Sequence, residues 1–137
     1  MPASPPPRSH LQPTILAVVL VGGALGTAAR EGVVVAVPRI GGLPLAILLI
    51  NVVGAFVLGV LLEALARGGP DQGGRRLIRL AVGTGFCGGF TTYSTLAVGT
   101  AELLRSGTTG LAVAYAVGSV LLGALAAWVG VLVGSRR

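Results

Sequence analysis

Residues 85–95 read GFCGGFTTYST, a glycine- and hydroxyl-rich stretch that lies between two largely apolar segments. Glycine-rich polar sequence is typical of surface loops, yet the surrounding residues 77–104 form a segment long enough to cross a membrane. The glycines weaken a helix, and the threonine and serine hydroxyls offer the backbone other hydrogen-bond partners. We therefore predict a helix that is broken near the middle of the membrane; the alternative is a glycine-rich packing helix that stays intact.

A break at this depth has chemical consequences. Non-helical backbone inside a membrane is tolerated only where it is buried in protein or lines a polar cavity. The N-terminus of the second half-helix favours an anion, and the carbonyls freed by the break can hold a small cation. The stretch therefore predicts a site where ions meet the chain.

The composition is that of an integral membrane protein. Of 137 residues, 53% are hydrophobic and only 10% are charged, too few to cover the surface of a soluble domain of this length. Four apolar blocks predict an all-α membrane protein with four transmembrane helices at about residues 14–37, 43–66, 77–104 and 109–134. Residues 1–13 are rich in proline and are predicted to be a disordered tail that precedes a four-span domain at residues 14–137.

The arginines predict how the chain is inserted. All ten basic residues are arginine, and no basic stripe with interleaved aromatic residues suggests a nucleic-acid partner. Four spans place both termini on one side of the bilayer. That side carries Arg8, Arg67, Arg75, Arg76, Arg79, Arg136 and Arg137, and the other carries Arg39 and Arg105. The bias predicts a multi-pass protein of the inner (plasma) membrane with cytoplasmic termini.

Small residues recur at a spacing of four in several spans. Such a spacing places them on one helix face, where they let two helix backbones approach closely. The pairs are Gly22 and Gly26, Gly85 and Gly89, and Gly130 and Gly134. A four-helix bundle of this size has little interior of its own, so we expect the chain to dimerise.

Two spans carry polar residues, whose burial in hydrocarbon costs free energy. Asn51 lies near the centre of span two; it either forms an interhelical hydrogen bond or presents an amide donor to a pore. Tyr115 and Ser119 share one face of span four. Their hydroxyls either pass an ion from one to the next, or the serine bonds back to its own helix.

No feature of the sequence supports an enzyme. The single cysteine, Cys87, excludes an intramolecular disulfide and a thiolate metal cluster. No phosphate-binding loop, nucleophile–base pair or zinc-ligand spacing is present. Three glutamates, Glu31, Glu63 and Glu102, lie toward span ends, so no carboxylate sits in mid-membrane as a proton-coupled pump requires.

Three motifs together resemble the Fluc (CrcB) family of fluoride channels. They are GGALGTAAR (22–30), NVVGAFVLG (51–59) and GTGFCGGFTTYST (83–95), one per span and in the family's order. The resemblance implies a passive fluoride-selective channel that lowers cytoplasmic fluoride. It also implies an antiparallel, dual-topology-type dimer with a structural sodium ion (Na+) at its centre.

The resemblance assigns a role to particular residues. The sodium ligands correspond to the backbone carbonyls of Gly88 and Thr91, and the vestibule arginine corresponds to Arg30. The ion pathway corresponds to Asn51, Tyr93, Ser94, Thr95, Tyr115 and Ser119. Amide and hydroxyl groups suit fluoride because a small, tightly hydrated anion needs strong donors in place of water.

Two features depart from the family pattern. Tyr93 and Leu96 replace the family's two ring-stacking phenylalanines, and a seven-to-two arginine bias opposes insertion of one chain in both orientations. Both departures fit a chain whose partner is a sister subunit inserted the other way, rather than a second copy. The alternatives are a non-conducting partner subunit and a small four-span multidrug-type exporter, which would need an embedded carboxylate that Glu31, beside Arg30, supplies poorly.

Overall fold

A computed structural model describes residues 12–136, and this part of the chain is helical. The elements in chain order are α1 (Pro13–Ala36), α2 (Leu45–Arg67), α3 (Gly73–Ile78), a π-helical segment (Arg79–Cys87), α4 (Gly88–Phe90), α5 (Tyr93–Arg105) and α6 (Thr109–Gly134). Within the described residues, no β-structure forms beyond one isolated bridge between Ile40 and Leu43. The all-α class is therefore confirmed, whereas residues 1–11 of the predicted tail lie outside the described part.

Three helices, α1, α2 and α6, are long and apolar enough to cross a membrane. They occupy the positions of the first, second and fourth predicted spans. The third predicted span is divided among α3, the π-helical segment, α4 and α5, so it is not one continuous helix. Many leucine and valine side chains on the outer faces of these helices are exposed in the single chain, as expected of surfaces that face lipid or another subunit.

Prolines and glycines determine where α1 ends and α2 begins. α1 ends at Ala36 because Val37 precedes Pro38 and adopts an extended backbone, with φ −106° and ψ 107°. The chain then turns through Gly41 and Gly42, whose φ values of 59° and 82° are left-handed. This turn leads directly into α2 and places the intervening loop at one end of the bundle.

The α1 helix packs backbone to backbone against the third span. A Cβ on Gly26 would overlap the carbonyl oxygen of Phe86, and one on Gly22 would likewise overlap the backbone of the π-helical segment. A Cβ on Gly85 or Gly89 would likewise lie too close to backbone atoms of α1. Residues later in α1 contact residues later in the third span, so the two segments run parallel. The close approach predicted from the glycine spacing is therefore confirmed.

A second parallel pair consists of α2 and α6. A Cβ on Gly59 would overlap the carbonyl oxygen of Ala127, and one on Gly130 would overlap that of Phe56. A Cβ on Gly134 would also lie only 2.7 Å from the carbonyl oxygen of Val60. The last predicted glycine pair thus serves helix contact as well, and the bundle consists of two tightly packed parallel pairs.

The apolar core lies where α2, α5 and α6 meet. Its buried residues are Ile47, Ile50, Leu96, Leu103, Ala112 and Tyr115. Leu96, the position to which the resemblance assigns a phenylalanine, is thus part of this chain's own core.

The third span breaks at Thr91 and Thr92, just after its glycines. The glycine-rich residues 79–87 stay helical with π geometry, a form that is frequent at functional sites. Thr91 has a ψ of 154°, and Thr92 has φ −150° and ψ 123°, so both are extended. The intact-helix interpretation is therefore wrong. The predicted break is confirmed, but it lies beyond the glycines at residues 83–89, of which Gly85 and Gly89 bring the segment against α1.

Gly26→Val tests this close packing, and Gly32→Val on the same helix is the matched control. The added side chain at residue 26 would collide with the backbone at Phe86 and Phe90, whereas nothing lies within 4 Å of a Cβ on Gly32. We expect Gly26→Val to cost roughly 1–3 kcal/mol, as overpacking does, and Gly32→Val to have little effect. Thermal unfolding in detergent measures the difference, and equal melting temperatures for the two variants would contradict this packing.

Candidate functional site: the helix break and its cleft

The helix break is held by one side chain from α2. The Asn51 Nδ2 donates to the Thr92 carbonyl at 3.0 Å, and the Asn51 Oδ1 accepts from the Thr92 N–H at 2.9 Å. A carboxamide can satisfy both backbone groups at once because it carries a donor and an acceptor side by side. The interhelical hydrogen bond considered for Asn51 is therefore present, and it goes to main chain. One Nδ2 proton remains for another acceptor.

The same contacts free two main-chain oxygens. In a continuous helix the N–H groups of Thr92 and Thr95 would donate to the carbonyls of Gly88 and Thr91. Instead, the Thr92 N–H donates to Asn51, and the Thr95 N–H donates to the Thr92 hydroxyl at 3.3 Å. The two carbonyls to which the family resemblance assigns the sodium ion thus lose their helical donors.

Thr92 is the centre of the site, although it is not among the residues that the sequence predicts to form it. Thr92 is 7% exposed, and its side chain caps α5 by accepting the Thr95 N–H. Its Oγ1 also lies 3.2 Å from the Ser94 Oγ and 3.1 Å from the Thr95 Oγ1, which joins three hydroxyls. A threonine directly before a helix is a capping signal that could have identified it.

Tyr115 and Ser119 share a buried face of α6 but differ in hydrogen bonding. The Ser119 Oγ donates to the Tyr115 carbonyl at 2.6 Å, so the back-bond considered from the sequence is present. The Tyr115 hydroxyl is buried and has no hydrogen-bond partner among the described residues. A buried hydroxyl without a partner is unfavourable, so this group is a free donor inside the bundle.

The two residues that replace the family's rings are placed very differently. Tyr93, at the start of α5, is 82% exposed, whereas Leu96 is 9% exposed and packs in the core. Of these two side chains, only that of Tyr93 therefore projects away from the chain.

Most of the predicted site residues line one open cleft of about 500 Å³. It brings together parts of α2, the third span and α6, which are distant in sequence. Its predicted residues are Asn51, Gly88, Thr91, Tyr93 and Ser119, and Thr92 and Leu96 also line it. Ser94, Thr95 and Tyr115 do not line this cleft, but Ser94 and Thr95 are linked to it through the Thr92 hydroxyl.

A second cavity, of about 310 Å³, lies between the end of α1, the α1–α2 loop and α5. Arg30, Glu31, Arg39 and Thr95 contribute its polar lining. The Arg30 Nε lies 3.5 Å from the Glu31 Oε1. Arg39 donates from Nη1 to the Oε2 of Glu102 at 2.7 Å, which ties the loop to α5. We call this space the arginine cavity.

At the opposite end, two arginines at and after the end of α2 are also paired with acids. Arg67 binds Glu63 at 2.8 Å, and Arg79 binds both oxygens of Asp71. The hydrogen bond from Arg79 lowers the pKa of Asp71 below its ordinary value, so this carboxylate stays ionised at neutral pH. Within residues 12–136, no group of three histidine, cysteine or acidic residues is arranged to hold a metal ion.

The chain matches one family closely along most of its length. A family model described as "CrcB-like protein, Camphor Resistance (CrcB)" matches residues 17–131. A protein of Leifsonia xyli named fluoride-specific ion channel FluC 2 is 47% identical, with 92% of this chain and 87% of that protein covered. FluC 1 of Cutibacterium acnes is 49% identical, with 86% and 83% covered, and FluC of Deinococcus radiodurans is 42% identical, with 85% and 91% covered.

Thr92→Val tests the role of Thr92 as the cap of α5. The variant removes the oxygen that accepts the Thr95 N–H, and loss of a helix cap costs about 1 kcal/mol. We expect faster amide hydrogen exchange in the first turn of α5. Thr100→Val is the matched control, because the Thr100 hydroxyl only bonds back to Leu96 within the same helix. Equal exchange in the two variants would show that Thr92 is not the cap.

Proposed function

Because the chain belongs to the CrcB family, whose curated relatives are named fluoride-specific ion channels, we propose that it conducts fluoride passively across a membrane. Three continuous apolar helices and an interrupted third span agree with a multi-pass membrane protein. Hydrogen fluoride enters a cell as a neutral acid and dissociates inside. A passive channel in the plasma membrane, negative inside, therefore lowers cytoplasmic fluoride without a pump.

One observation carries the proposal: Asn51 holds the helix break and lines the cleft with an uncommitted amide proton. Fluoride is small and tightly hydrated, so a pathway must replace water with strong donors that carry no fixed charge. Ions then bind well enough to enter and weakly enough to leave. The hydroxyls of Ser94 and Thr95, next to Thr92, extend this set of donors.

The pathway is completed by a second subunit in this proposal. The cleft is open along the single chain, and the ring of Tyr93 projects from it, where an antiparallel partner would cover both. An aromatic edge is electropositive and can contact an anion. Leu96 supplies no such edge, so a sister subunit with rings at both positions would restore the pair. The arginine bias also fits such a sister, and with a sister it places the termini of this chain in the cytoplasm. Two copies of this chain in opposite orientations would form the same pathways with fewer aromatic edges, so efflux from this chain alone distinguishes the two kinds of partner.

Sodium is the structural ion of the proposed dimer. The carbonyls of Gly88 and Thr91 lack helical donors, and both residues line the cleft that the partner would cover. Uncharged oxygen ligands of this kind suit a hard cation, although two oxygens from one chain are too few. The same pair from the partner would complete the set. The bound cation would supply a fixed positive charge that holds the two subunits together.

The positions of the carboxylates do not support the exporter alternative. It needs a carboxylate embedded among the spans, but Glu31 has an exposed side chain beside Arg30 near the end of α1. The remaining alternative, a non-conducting partner subunit, is an outcome of the flux experiment.

Fluoride efflux from liposomes that contain this chain alone is the direct test. A fluoride electrode should record robust efflux from the wild type, and Asn51→Asp should reduce it nearly to that of protein-free vesicles. The carboxylate cannot donate to the Thr92 carbonyl and repels the anion. Gln72→Glu makes the same chemical change in an exposed loop and should retain efflux. Efflux without a sister removes the need for one, and no efflux in the wild type favours the non-conducting subunit.

Tyr115→Phe separates a role in conduction from a role in folding. The hydroxyl is buried without a partner, a situation that costs roughly 1–3 kcal/mol, so its removal should leave the melting temperature unchanged or raise it. Fluoride efflux should nevertheless fall several-fold, because the pathway loses a donor. Unchanged efflux would show that the hydroxyl plays no part in conduction.

Removal of sodium tests the proposed cation site, since no side-chain substitution deletes a backbone carbonyl. Purification and reconstitution with a large organic cation in place of sodium should weaken the dimer and lower efflux, and added sodium should restore both. Size-exclusion chromatography and the fluoride electrode measure the two effects. Full activity after exhaustive removal of sodium would rule the site out.

A further inference from the structure

The arginine cavity is connected to the helix break through a single hydroxyl contact. Thr95 lines the cavity, and its Oγ1 lies 3.1 Å from the Oγ1 of Thr92, which lines the cleft on the other side. An anion in the arginine cavity is thus one hydroxyl contact away from the donors of the break. The charges that line it act on every ion that enters.

Two acidic partners offset those charges, one from the cavity lining and one from just outside it. Arg30 and Arg39 line the cavity, but Arg30 lies beside Glu31 and Arg39 is bound to Glu102. Two guanidinium groups are thus balanced by two carboxylates. This is unexpected for the mouth of an anion pathway, where uncompensated positive charge would raise the local concentration of anions.

The Arg39–Glu102 pair contributes little to stability. Its side chains are 59% and 45% exposed, and exposed ion pairs are worth at most about 1 kcal/mol. The pair joins residues 63 positions apart, and Arg39 stands on a loop shaped by two left-handed glycines. Its clearest physical effect is on the electrostatic potential of the cavity, because Glu102 offsets the charge that Arg39 places there.

We propose that the Arg39–Glu102 ion pair sets the electrostatic potential at the mouth of the anion pathway, with Glu102 acting to limit anion accumulation. The inference rests on the proposed fluoride conduction and adds a control on its rate. A surface charge attracts all small anions alike, so a positive mouth would gather chloride as readily as fluoride. A neutral mouth leaves discrimination to the uncharged donors at the break. Arg39 and Glu102 would thus tune entry without contacting the ion at those donors.

Charge-neutralising variants in the efflux assay test the inference. At low ionic strength, Glu102→Gln should raise fluoride efflux roughly two- to fivefold, because one positive charge at the mouth is no longer offset. Arg39→Gln should lower efflux by a similar factor. The double variant should return close to the wild-type rate, since the mouth is again neutral. All of these differences should shrink at high ionic strength, where the charges are screened.

A matched control and the salt dependence separate this role from a structural one. Asp71→Asn breaks an exposed arginine–carboxylate pair outside the cavity and should not change efflux. If the pair were merely structural, both single variants and the double variant would fall together, independent of salt, and the inference would be wrong. Wild-type efflux with unchanged Glu102→Gln and Arg39→Gln variants would overturn this inference alone. Absence of efflux from the wild type would overturn the proposed conduction as well.

Discussion

Two hydrogen bonds between the Asn51 carboxamide and the backbone of Thr92 hold the interrupted third span against α2. An interrupted helix leaves N–H and carbonyl groups that cost several kcal/mol each in hydrocarbon unless they find partners. One carboxamide supplies a donor and an acceptor to the same residue, whereas a carboxylate could only accept. The break is thus stabilised without a charge, and the carbonyls of Gly88 and Thr91 remain uncommitted. The cleft and its proposed ions depend on this contact.

Close packing of glycines positions the interrupted span for that contact. Gly22 and Gly26 of α1 meet the backbone of the π-helical segment, and Gly85 and Gly89 meet the backbone of α1. Helices in a membrane gain no hydrophobic driving force from one another, so such backbone contact is a main source of their association. The glycines that suggest a loop in the sequence therefore serve packing. The loss of helix falls two residues later, where threonines bond to other groups.

Charged side chains and uncharged hydrogen-bonding groups occupy different parts of this molecule. The groups around the break are amides and hydroxyls, while the arginines stand at the bundle ends, several of them bound to acids. Fixed charge near the break would hold an anion, whereas neutral donors replace its water and let it move on. The Tyr115 hydroxyl, which has no partner among residues 12–136, and the remaining Asn51 amide proton fit this pattern, because each is a donor without a charge. Fluoride conduction requires this separation of neutral donors at the break from charges at the bundle ends.

The sequence alone determined the membrane class, the four apolar blocks, the small-residue faces and the family, because hydropathy, helical spacing and motif order are local properties of the chain. It also selected Asn51 and predicted a break. Only the tertiary structure decided that the break falls at Thr92, that Thr92 joins three hydroxyls, that Ser119 bonds to its own helix and that Arg39 reaches Glu102. The physical reason is that a polar group takes whichever partner the packing of distant segments brings within about 3 Å, and neither periodicity nor composition encodes that choice.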